Sequence, residues 1–125
     1  MAAEKITSFT KLIAWQKAHQ LVVKIYTTTT SFPPHEIHSL TDQIRRSAVS
    51  ISSNIAEGFG RSSQKEKVQF YSIALASLTE LQNQLLIARD IGYLPVEKFR
   101  DLAEQTIEIG KILGGLKRSV KLTPN

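Results

Sequence analysis

No cysteine occurs anywhere in the chain, so disulfide staples, thiolate metal sites and a thiol nucleophile are all excluded. Proline and glycine are scarce, four and six residues in 125, and 42% of the chain is apolar, which argues against disorder. No stretch approaches the roughly 18 consecutive apolar residues of a membrane span. The opening MAAEKITSF lacks the apolar run of a signal peptide. Strand-like alternation and internal repeats are missing too. These absences predict a soluble cytoplasmic protein with no membrane partner, and the length suits one domain, 1–125, with a single core.

What is present is positive charge, unevenly spread. The formal +5 divides into +3 over residues 1–34, zero over 35–92 and +2 over 93–125. After Glu108 acidic residues stop, leaving Lys111, Lys117, Arg118 and Lys121. Such a balance favours nucleic acid or another acidic partner, although solvation alone accounts for a charge of this size about as well.

Apolar periodicity divides the rest into four helices, at about residues 9–28, 39–57, 63–91 and 95–118. In the first, Leu12, Trp15, Ala18, Val22 and Ile25 follow three- and four-residue steps, and Pro33-Pro34 bars continuation. Ser39 is the expected N-cap of the second helix and Gly58 its stop. That helix carries Ile44, Ala48, Ile51 and Ile55 on one stripe, and its many Ser and Ala residues would let another helix approach closely. Ser63-Gln64-Lys65-Glu66 is a capping box opening the third helix, which meets no Gly or Pro before Gly92 and so extends roughly 43 Å. Pro95 begins the fourth, where Gly110 and Gly114 share a face suited to close helix contact.

Four apolar helices with short connections predict an all-α fold, an antiparallel up-down-up-down four-helix bundle. The expected core is Trp15, Val22, Ile44, Ile51, Ile55, Phe70, Ala74, Leu78, Leu81, Leu85, Phe99, Leu102 and Ile109.

Candidate chemistry is thin. A di-metal bundle centre needs Glu-x-x-His pairs, which the chain lacks. His35 and His38 flank Glu36 in the Pro-rich connection without a clear third ligand, so no metal or other cofactor is expected. Asp101, Glu104 and Glu108 lie among Lys98, Arg100 and Lys111, the pattern of a solvated ion-pair face. Gly58-Phe59-Gly60 lacks the Lys and Ser/Thr of a phosphate-binding loop. Arg45 and Arg46 could grip phosphate, but Asp42 offers an ion pair, as Glu57 does for Arg61, and the structural role is favoured. No catalytic constellation is found, and an enzyme is not expected.

The run QIRRSAVSISSNIAEGFGR, followed by SSQKEKVQFYSIALASLTELQNQLLIARDIGYL, closely resembles the proteins encoded within intervening sequences of bacterial large-subunit ribosomal RNA genes. The opening LIAWQKAHQLVVKIYTTTTSFPPHE resembles their first helix and its Phe-Pro stop. One departure is Ser52, where the family pattern usually has proline, implying a straighter second helix. The resemblance implies a left-handed four-helix bundle assembled as a homopentamer. It extends to the accessory variability determinant proteins of diversity-generating retroelements, basic pentamers that bind a reverse transcriptase and nucleic acid.

Together these readings predict a non-catalytic homo-oligomer that associates with RNA through a basic surface. Five copies would present about +25, enough for multivalency to matter. The expected phosphate contacts are Lys11, Lys17, Lys24, Lys111, Lys117, Arg118 and Lys121. The alternative is a protein-interaction adaptor for a reverse transcriptase or other nucleic-acid enzyme, motivated by the wide apolar surface of the third helix.

Overall fold

The computed structural model describes residues 8–122. Residues 1–7 and 123–125, including the charges of Glu4 and Lys5, lie outside the described residues. A 3-10 turn at Phe9–Lys11 leads into α1 (Ile13–Thr29), and a second at Pro34–Glu36 precedes α2 (Leu40–Phe59). Then come α3 (Gln64–Asp90) and α4 (Val96–Leu122), and no strand occurs among the described residues.

Local chemistry explains where the helices begin and end. Helix α1 does not start at Phe9 as the apolar spacing suggests, because Leu12 is extended (φ −72, ψ 128) and separates the turn from the helix. Gln16 Nε2 holds the turn in place by donating to Thr10 O at 2.8 Å. At the other end of α1, Thr27, Thr29, Thr30 and Ser31 turn their hydroxyls back onto carbonyls three or four residues earlier, at 2.7–3.1 Å. That local competition weakens the helix before Pro33 and Pro34 stop it.

Ser39 precedes α2, but its side chain does not cap it. The capping box of α3 does form: Ser63 Oγ accepts from Glu66 N at 3.1 Å and donates to Glu66 Oε1 at 3.1 Å. Gly92 takes the left-handed conformation (φ 88) after α3, letting Tyr93 N and Leu94 N both donate to Ala88 O. Pro95 lies just before α4, its carbonyl accepting from Phe99 N at 2.9 Å.

Gly58 is not the stop of α2. It is buried within the helix, where an added Cβ would lie 2.7 Å from Tyr71 Cε1 and 3.0 Å from Phe70 Cβ. The glycine makes room for α3. Further along the same seam, Ser47 Oγ donates to Glu80 Oε1 at 3.1 Å and Ser50 Oγ meets Ser77 Oγ at 2.8 Å. These contacts pair rising numbers on α2 with falling numbers on α3, so the two helices are antiparallel. Seam α3–α4 behaves alike, with Gln82 Nε2 donating to Thr106 Oγ1 at 3.0 Å and Leu78 lying against Gly110. Gly110 is thus a close-contact glycine, whereas a Cβ at Gly114 would meet only Arg118 of its own helix. Helix α1 touches α2 and α4, closing the cycle.

The core holds Leu21, Ile25, Ile44, Ile51, Ile55, Tyr71, Leu81, Leu85, Leu102, Ile109 and Leu113. Ala74 and Leu78 are buried as expected, but Trp15, Val22, Phe70 and Phe99 are only half-buried. In α1 the inward stripe is Ala14, Ala18, Leu21 and Ile25, so Trp15 and Val22 are each one residue past an inward position, about 100° around the helix. Tyr71 likewise takes the inward place beside Phe70. Both outlying phenylalanines lie under guanidinium groups, Phe70 under Arg61 at 4.6 Å and Phe99 under Arg89 at 4.6 Å.

Gly58→Ala tests the α2–α3 approach. Alanine gains about 1 kcal/mol of helix propensity, but overpacking against a rigid ring costs about 1–3 kcal/mol. The net effect expected is a lower Tm, read by circular dichroism. An unchanged or raised Tm would contradict the close packing.

Candidate nucleic-acid interface

Antiparallel neighbours bring the start of α1, the α2–α3 turn and the end of α4 to one end of the bundle. Residues 8–14, 55–70 and 115–122 there hold seven basic and two acidic side chains, a formal +5. The remaining described residues hold eight of each sign. The formal charge of the entire chain therefore equals that of one end.

The seven cations expected to meet phosphate separate into three groups. Lys11, Lys117, Arg118 and Lys121 gather at the basic end, none with a carboxylate in ion-pair range among the described residues. Arg118 folds back over Gly114 and Gly115, where added Cβ atoms would lie 3.5 and 3.8 Å from its guanidinium nitrogens. Lys111 is exposed farther up α4. Lys17 and Lys24 face a different way, across the α1–α4 seam. Lys17 Nζ lies 3.2 Å from Glu108 Oε1, and Lys24 Nζ pairs with Asp101 Oδ2. The expected ion-pair face of α4 therefore forms with α1 in place of neighbours on α4 itself.

Lys65 and Lys67 of the basic end carried no expected role in the sequence, while Arg61 forms the expected pair with Glu57. Arg61 is shared between Glu57 at 3.5 Å and Glu66 at 3.8 Å. Lys67 Nζ donates to Phe59 O at 2.6 Å, satisfying a carbonyl at the end of α2, and lies 5.3 Å from the Phe59 ring centroid. Lys65 is exposed and, among the described residues, without a carboxylate partner. The up-down topology already implied their position, since the second connection of such a bundle shares an end with both its outer termini.

The opposite end is balanced. Arg45 Nε donates to Thr29 Oγ1 at 2.9 Å, and its guanidinium lies 4.8 Å above the Tyr26 ring. Arg46 Nε donates to Asp42 Oδ2 at 2.8 Å. Tyr93 Oη donates to Glu36 Oε2 at 2.9 Å, which lowers the Glu36 carboxyl from its ordinary value and raises the Tyr93 phenol. His35 Nε2 lies 3.9 Å from the same carboxylate. Among the described residues no three His, Asp or Glu side chains gather as a metal set, and no helix is long and apolar enough to cross a membrane.

The family model for the 23S rRNA-intervening sequence protein matches residues 10–115. The chain belongs to that family. A solved relative of the intervening-sequence fold is a protein of unknown function from the S23 ribosomal protein family of Bacteroides thetaiotaomicron VPI-5482. It is 22% identical and superposes with a TM-score of 0.78 over 85% of this chain and 96% of its own length. That likeness establishes the shared fold. No curated protein matches the chain.

The seam between α1 and α4 gives a pH prediction. Lys24 hydrogen-bonds Asp101 and holds its carboxyl below the ordinary 3.8. A depressed carboxyl contributes stability that is complete above its unfolded value and disappears as pH falls through the lower folded value. Asp101→Asn should therefore make the acid limb of a Tm-against-pH profile shallower below about pH 4. An acid limb identical to the parent's would remove the pair from the account.

Proposed function

We propose that this member of the intervening-sequence family is a non-catalytic, RNA-associated protein that acts as a homo-oligomer and grips phosphate through one end of its bundle. The observation that carries this reading is the confinement of the net charge to that end, where Lys11, Lys65, Lys117, Arg118 and Lys121 have no carboxylate partner among the described residues. Cations without internal partners are free to replace the counterions of a nucleic-acid backbone. The family's connection with 23S rRNA makes RNA the polyanion of choice.

Repetition of the site supports the oligomeric part, since several weak basic ends on one particle bind far more tightly than one. Two seams with exposed apolar side chains, on opposite sides of the bundle, offer the means. One lies between α1 and α2, with Tyr26 and Val49 exposed around a cleft of about 630 Å³. The other lies between α3 and α4, with Leu86 and Ile107 exposed around a cleft of about 240 Å³. Different patches on opposite sides favour head-to-tail contacts, which give a ring when the rotation between copies closes. A homopentamer is the ring size the family resemblance suggests.

Two measurements test the proposal. Charge reversal of Lys117, Arg118 and Lys121 should weaken binding of a fluorescent RNA hairpin by more than about tenfold and flatten its salt dependence. Lys17→Ala with Lys24→Ala should leave affinity within about threefold, because those cations already hold carboxylates. Full affinity after the triple reversal would refute the site. Light scattering should show the parent as an oligomer and the Leu86→Glu, Ile107→Glu double variant as a smaller species. Nuclease-resistant capture of a reverse transcriptase would favour the adaptor reading instead.

A further inference from the structure

The basic end offers charge without a free aromatic face, and that combination narrows what it can hold. Of nine aromatic side chains, Tyr26 alone is exposed, and it lies at the balanced end beneath Arg45. At the basic end every half-buried ring already has a partner. Arg61 covers Phe70 at 4.6 Å and Lys67 covers Phe59 at 5.3 Å. Farther along α1, His19 stacks on Trp15 at 4.7 Å with the planes 13° apart, and Phe9 packs on the same indole at 5.3 Å.

Proteins that hold single strands combine a groove tracking one backbone with rings on which successive bases stack. Among the described residues the basic end offers no free ring for such stacking. Among the described residues, clefts of about 240–630 Å³ lie along the α1–α4 and α3–α4 seams and around the balanced half of α1 and α2. The unpaired cations come from the Phe9–Lys11 turn, the first turn of α3 and the last turns of α4. With neighbouring helices 8–10 Å apart, they spread over an end about 20 Å across. Such a spread suits two phosphate ridges better than one thread.

We infer that the basic end binds the phosphate backbone of a double helix, an RNA stem in the reading above, and neither reads bases nor holds single strands. Duplex RNA is recognised largely by shape and by contacts to its phosphates and hydroxyls, which needs no stacking platform. Lys11, Lys65, Lys117, Arg118 and Lys121 supply the contacts. Arg61 and Lys67 stay engaged with the α2–α3 turn and keep its shape. This inference rests on the polyanion reading and adds the class of strand.

The test is fluorescence anisotropy with the full chain and three probes of one sequence: an RNA duplex of about 20 base pairs, an unstructured RNA single strand and a DNA duplex. A duplex should bind at least about tenfold tighter than the single strand at equal salt. Lys65→Glu with Lys117→Glu, shown by circular dichroism to melt like the parent, should remove that advantage. Whichever duplex binds more tightly identifies the source of the phosphate ridges. A single strand bound as tightly as either duplex would overturn the inference and leave the polyanion reading intact. Binding of no probe would overturn both.

Discussion

Tyr71 can lie against α2 only because position 58 carries no side chain, and the rest of the arrangement depends on that contact. With the ring seated beside Gly58, the serines higher on α2 fall opposite Ser77 and Glu80, and the pairing of α2 with α3 is fixed along its length. The turn between them is then forced out at one end. There Arg61 and Lys67 are occupied by Glu57, Glu66 and the last carbonyls of α2, while Lys65 faces solvent. A packing requirement in the interior thus decides which cations of that turn face solvent.

The helices were legible in the sequence because the apolar spacing is strong and the punctuation clear: Pro33-Pro34, the Ser63 box and Gly92 each act as their chemistry suggests. One error fell where two large aromatic residues stand side by side. Phe70 and Tyr71 compete for one inward position, and periodicity cannot show that a guanidinium will cover the loser. Gly58 misled for a related reason. A glycine near the end of a helical pattern reads as a stop unless the ring that will occupy its notch is known.

Less of the candidate site could be read. The C-terminal cations were visible as a run without acids, but Lys17 and Lys24 belong to a seam whose partners, Glu108 and Asp101, are distant in sequence. Charge runs reveal only neighbours along the chain. Grouping Lys11 and Lys65 with the C-terminal residues requires the helix directions as well. Family membership rests on the match over residues 10–115, whereas the position of the charge follows from this chain's own residues.

The two ion pairs on the α1–α4 seam have a consequence for approach as well as for packing. By neutralising the flank, they leave a molecule whose side-chain charge is displaced along its long axis, since the backbone dipoles of antiparallel helices largely cancel. A polarised rod turns in the field of a polyanion before touching it, so encounters are steered toward end-first collisions. The same Lys17 and Lys24 that add no net charge to the flank thereby help to set the direction in which the molecule's charge is displaced.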